Sequence, residues 1–146
     1  MKIESIAVVL DKPKHRPIAF ARGLDLKKHS GAALDCFAFT WHPVCETGAV
    51  FAADERRSIQ KEMFRSRTVE ARHTLEDAGE EGAAANLKTV WCKDIATWAR
   101  RELTKNHRDV LVKTVHRSKT WLHTPLDWEL LRTCPVPVLL TSDHNK

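Results

Sequence analysis

The chain has 146 residues, 42% of them hydrophobic, which suits one domain with a real core and leaves too little for two of ordinary size. Its formal charge of +5 comes from 24 basic residues interleaved with 19 acidic ones, so the surface reads as mixed rather than as a basic face. Nucleic-acid recognition is set aside because the tryptophans lie mostly inside apolar segments instead of studding a basic face, and no apolar run approaches the roughly eighteen residues of a membrane span.

The amino terminus carries Glu4 and lacks a long apolar centre, so a soluble, unprocessed, cytoplasmic protein is expected. Cys36, Cys45, Cys92 and Cys134 are scattered with no paired spacing, and free thiols are expected.

The first apolar run, Ser5 to Leu10, has the character of a strand buried on both faces of a parallel sheet, and it ends at Asp11. A loop with Pro13, Pro17 and several cations leads to a helix from about Pro17 to Ser30. On this helix Phe20, Gly23 and Leu24 share a face, Gly23 allows close approach to the sheet, and Gly31 ends the element in the left-handed conformation. A second strand runs from Ala33 to Trp41. A loop follows, and Asp54 is read as the start of a long helix reaching about Asp77. Ile59, Met63, Phe64, Ala71, Leu75 and Ala78 form its apolar stripe, while Arg56, Arg57, Lys61, Arg65, Arg67 and Arg72 are expected to face solvent.

Gly79 and Gly82 bracket a turn, and Ala84 to Cys92 reads as the third strand. Asp94 caps a helix whose Ile95, Trp98, Ala99 and Leu103 face a core, and Asn106-His107 ends it. The fourth strand is Val110 to Val115, the last helix about Pro125 to Thr133 and the fifth strand Val136 to Thr141. Pro137 has no backbone N–H, which places that strand at a sheet edge. In the last helix Asp127 complements the dipole from the first turn and Trp128 is expected to pack. Five strands alternating with helical segments define an α/β class, a parallel sheet flanked by about four helices in a Rossmann-like sandwich.

Asp109-Val110-Leu111-Val112, the entry Thr124-Pro125-Leu126-Asp127-Trp128 and the exit from Leu130 to Leu140 resemble the universal stress protein family, in particular its E-type branch. Asp11 after the first strand and Gly31 before the second also fall where that family has them, so the resemblance covers nearly the whole length. It implies strand order 3-2-1-4-5, a homodimer paired through the last strand (Val136 to Leu140), and a role in bacterial stress adaptation through an unidentified protein partner. E-type relatives often carry two such domains in tandem.

Many members hold ATP beside strands one and four on a Gly-two residues-Gly-nine residues-Gly-Ser loop. This chain has five glycines, none after Gly82; Thr114 takes the first glycine's place and Thr124-Pro125 replaces the terminal Gly-Ser. Pro125 also removes a donor N–H at the helix start. ATP as a cofactor is therefore disfavoured, and none is assigned. The remaining ligand pocket is walled by Asp11, Lys12, Thr114, His116, Arg117 and Thr124. In it Asp11 matches the family's nucleotide-contacting acid and is equally read as a turn residue.

His42, Cys45, Cys92 and His116 fall at the ends of strands two, three and four, and two imidazoles with two thiolates suit zinc. Their spacing offers no close ligand pair, and loop histidines with half-buried cysteines are the competing reading. No Gly-x-Ser-x-Gly elbow exists, and a cysteine beside His42 meets only the loosest rule for a nucleophile, so no catalytic residue is assigned. The expectation is a non-catalytic binding or regulatory domain, with a small-molecule or nucleotide binder and a metal or thiol sensor as alternatives.

Overall fold

The computed structural model describes residues 2–115 and 125–142. In chain order the elements are β1 (Ser5–Val9), α1 (Ile18–Ser30), β2 (Ala33–Thr40), α2 (Ala53–Asp77), α3 (Glu80–Ala83), β3 (Asn86–Trp91), α4 (Ile95–Lys105), β4 (Val110–Thr114), α5 (Pro125–Thr133) and β5 (Val138–Thr141). The five strands form one parallel sheet in the order β3-β2-β1-β4-β5, as the family resemblance implied. The chain leaves β1 toward β2 on one side and returns to β4 on the other. The β1/β4 boundary is therefore the switch point, outside whose carboxyl ends a ligand crevice is expected.

Strand alternation divides the core between two layers. Ile6, Val8, Leu34, Cys36 and Val112 meet Ala19, Phe20 and Leu24 of α1 and Ala71 and Leu75 of α2. On the opposite face Ala7, Val9, Phe37 and Leu111 meet Ala96, Ala99 and Leu103 of α4 and Leu130 of α5. Gly23 lets α1 sit close: a Cβ there would lie 2.7 Å from Val8 Cγ2. Gly31 ends that helix at φ 73°, its amide bonded to the Lys27 carbonyl. Asp94 caps α4, its carboxylate accepting from the amides of Ala96 and Thr97.

Several expectations need correction. Helix α2 begins at Ala53, one residue before Asp54, because the Glu55 carboxylate reaches back to the Ala52 amide. Its buried stripe is Arg67, Ala71 and Leu75, so Arg67 faces inward while Phe64 is 40% exposed and Ala78 lies at the surface. The segment read as a turn at Gly79 and Gly82 holds α3, seated so tightly on the end of α2 that a Cβ on Gly82 would fall 2.3 Å from the Leu75 carbonyl oxygen. The third strand accordingly starts at Asn86 rather than Ala84. Trp128, expected to pack, is 51% exposed, whereas Asp127 beside it is fully buried.

Strand β5 lies at the sheet edge and is shorter than expected, beginning at Val138. The Pro137 carbonyl accepts from Leu111 N–H and the Thr141 carbonyl from Val115 N–H, so the odd-numbered residues face β4. Val138 and Leu140 therefore direct their backbone groups to the outer edge, and the N–H that Pro137 lacks is missing on the β4 side. Among the described residues no helix is long and apolar enough to cross a membrane.

Candidate functional site

Three structural elements meet at the β1/β4 crevice. Strand alternation turns Thr114, 1% exposed, toward α1, and its hydroxyl accepts from the Ala19 amide at 2.9 Å. The same hydroxyl donates to Asp11 Oδ2 at 2.9 Å, and that oxygen also accepts from Ala19 N–H at 3.4 Å. Pro17, the N-cap of α1, has no side chain able to cap. A threonine from β4 and an aspartate just past β1 thus satisfy a first-turn amide that a local N-cap would ordinarily take.

Arg67 closes the neighbouring β1/β2 edge. It is 8% exposed, and it donates from Nη2 to the Asp11 carbonyl at 3.1 Å and from Nε to the Phe39 carbonyl at 3.2 Å. Burial pulls its pKa below the ordinary guanidinium value, opposed by the charges of Glu70 and Asp11. The signal for this residue was in the sequence: Arg67 stands four and eight residues before Ala71 and Leu75, on the apolar stripe itself.

On the other face of β4, Lys113 points to α5. Its Nζ donates to Asp127 Oδ1 at 2.7 Å and to the Thr114 carbonyl at 3.0 Å, with the side chains 9% and 0% exposed. Adjacent residues of one strand therefore serve opposite layers, Lys113 fixing α5 and Thr114 fixing α1.

Of the expected pocket residues, Asp11 and Thr114 are brought together. Lys12 is exposed beside them on the next loop. His116, Arg117 and Thr124 lie outside the described residues. Of the residues weighed for zinc, His42 and Cys92 take local structural roles. His42 Nδ1 accepts from Val44 N–H at 3.1 Å, capping a short 3-10 turn, Pro43–Cys45. Cys92 Sγ donates to the Asp94 carbonyl at 3.2 Å, and burial pushes its thiol up. Among the described residues no three histidine, cysteine or acidic side chains gather where a metal would be held.

A cleft of about 670 Å3 opens at the carboxyl ends of β1 and β2, against α2. Lys12, Pro13 and Lys14 form one side, Met63 and Arg67 the other, and Trp41 an end; neither Asp11 nor Thr114 lines it.

Searched against protein-family models, the chain matches none. A universal stress protein E homolog from Haemophilus influenzae is 25% identical over 99% of the chain and 49% of its own length. Universal stress protein UspA from Lactobacillus plantarum superposes with a TM-score of 0.68 at 13% identity, covering 96% of this chain and 98% of that one. A universal stress protein family protein from Arabidopsis thaliana with AMP bound gives 0.53 at 12% identity, covering 97% and 93%. The chain spans about half the length of the curated relatives it matches. From end to end this chain is similar to E-type universal stress protein sequences, and its fold, with the strand order β3-β2-β1-β4-β5, is that of universal stress protein structures.

Proposed function

We propose that the chain is a binding and regulatory domain without catalysis of its own, which acts through a partner chain and holds no ATP tightly in the β1/β4 crevice. The observation that carries this reading is that the polar groups described at that crevice bond one another. The Thr114 hydroxyl and the Asp11 carboxylate are spent on each other and on Ala19 N–H, and a nucleotide would have to displace bonds already made. The absence of any glycine after Gly82 supports it, since backbone amides crowd a phosphate most readily where glycine removes the side chain. Against catalysis stands the use of His42 and Cys92 in local backbone hydrogen bonds.

The partner in this reading is a second copy, paired through the outer edge of β5, where Val138 and Leu140 offer backbone donors and acceptors. Sedimentation tests the assembly: Val138→Asp is expected to yield monomers, and an unchanged dimer would put the interface elsewhere. Calorimetric titration with Mg·ATP tests the crevice; saturable binding that Thr114→Val or Asp11→Asn changes would overturn the reading.

A second reading, a nucleotide-binding stress protein, draws support from the AMP-bound Arabidopsis thaliana structure and from Asp11 at the position of the family's nucleotide contact. Saturable AMP binding dependent on Asp11 would decide for it.

A further inference from the structure

We propose that Trp128 and Leu131, on the outer flank of α5, form a helix-to-helix contact with a second copy of the chain. The contact rests on the β5 pairing given above and adds to it a second layer, an orientation and an anchor residue.

Trp128 is 51% exposed and Leu131 47%, three residues apart on one side of α5. Leu130 between them is fully buried in the core shared with α4, and so fixes the direction of its neighbours. Each residue turns an α-helix by about 100°. In a right-handed crossover from β4 to β5, that turn carries Leu131 toward the outer edge of the sheet and Glu129 toward α4. Burial agrees, because Glu129 and Thr133 are half-buried whereas Trp128 and Leu131 are exposed. The exposed apolar side chains of α5 therefore stand beside the β5 edge.

That edge is open to strand addition. Val138 and Leu140 direct their backbone groups outward, and no residue from Thr133 to Ser142 is charged. The opposite edge strand, β3, carries the exposed Lys88, a charge of the kind that deters strand addition. Because the same two residues face outward in both copies, a two-fold pair can form its ladder only antiparallel, about an axis normal to the sheet. Such a rotation keeps each helical layer on its own face of the sheet. The two α5 helices thus lie in one layer on either side of the seam, and Trp128 and Leu131 are the apolar groups that each presents to the other. Tryptophan is among the residue types that most often dominate the binding energy of an interface.

Sedimentation equilibrium of the full chain over a concentration series tests the contact. Trp128→Ala is expected to raise the dimer Kd at least about tenfold, and Leu131→Ala to raise it by a smaller factor. Thr104→Ala, at an exposed position of α4, should leave it unchanged. All three side chains are exposed, so the variants should keep the fold, which circular dichroism checks. Acrylamide quenching gives a second reading. The emission lost in Trp128→Phe should belong to a tryptophan that is shielded in the wild-type dimer and accessible in the Val138→Asp monomer. A dimer that Val138→Asp dissociates, but that Trp128→Ala and Leu131→Ala leave at the wild-type Kd, would overturn the helical contact and leave the β5 pairing standing. Equal quenching of Trp128 in dimer and monomer would do the same. A wild-type chain that is monomeric throughout the series, or a dimer indifferent to Val138→Asp, would remove the β5 pairing and this contact with it.

Discussion

Lys113 Nζ meets Asp127 Oδ1 at 2.7 Å in a space closed to solvent, tying the carboxyl end of β4 to the first turn of α5. Asp127 keeps the first-turn place read from the sequence and also anchors its helix. Removing one partner of such a pair strands the other charge in the interior.

Lys113→Met is therefore expected to cost about 3–5 kcal/mol. Urea denaturation measures it, and a loss below about 1 kcal/mol, the range of exposed pairs, would mean that the pair is solvated in solution.

Arg67 and Arg65 are two residues apart on α2 with opposite roles. Arg67 forks between the Asp11 and Phe39 carbonyls, whereas Arg65 is exposed and pairs with Glu62 at 3.3 Å. A lysine cannot reproduce the fork, so Arg67→Lys should destabilise by about 1–3 kcal/mol. Arg65→Ala should stay within about 0.5 kcal/mol. Equal urea midpoints for the two variants would contradict the inward placement of Arg67.

The Asp94 carboxyl is held below its ordinary value of 3.8, chiefly by the Thr97 hydroxyl and then by the Thr97 and Ala96 amides. A depressed folded-state pKa contributes stability that is complete above the unfolded value and lost as pH falls through the folded one. Asp94→Ala should thus cost about 0.5–2 kcal/mol at neutral pH, and the difference from wild type should shrink as pH falls below the ordinary carboxyl range and the carboxylate is protonated. A pH-independent difference would assign the loss to packing.

Burial, reinforced by Asp35, pushes the Cys36 thiol up to about 12. Cys36 should resist alkylation in the native protein and become reactive in denaturant, as peptide mass mapping after iodoacetamide treatment would show. Native Cys36 labelled as fast as in the unfolded chain would contradict its burial in the α1/α2 layer.

Much of the architecture was legible because the apolar runs at Ser5, Ala33 and Val110 are short, dense and bounded by polar loops, and because Asp94 and Gly31 mark helix ends by their chemistry. Side-chain direction was less so. Arg67 belongs to a basic run in the sequence, although its spacing from Ala71 and Leu75 puts it on the buried stripe. Asp127 holds its expected first-turn place, but its burial was not legible because its partner, Lys113, lies fourteen residues earlier on another element. Helix α3 was hidden by its glycines, of which Gly82 is required by contact with α2 rather than by a turn. Of the pocket residues, Asp11 and Thr114 were found from their places at strand ends. Their mutual hydrogen bond depends on register between β1 and β4 that no local pattern records.

Native mass spectrometry of the freshly purified, untagged protein, repeated under denaturing conditions, tests the central claim most directly. A bare dimer that loses no mass on denaturation is the result expected of a crevice closed by Asp11, Thr114 and Ala19. A subunit that carries the mass of a nucleotide and releases it on denaturation would contradict the account and return the β1/β4 crevice to ligand binding.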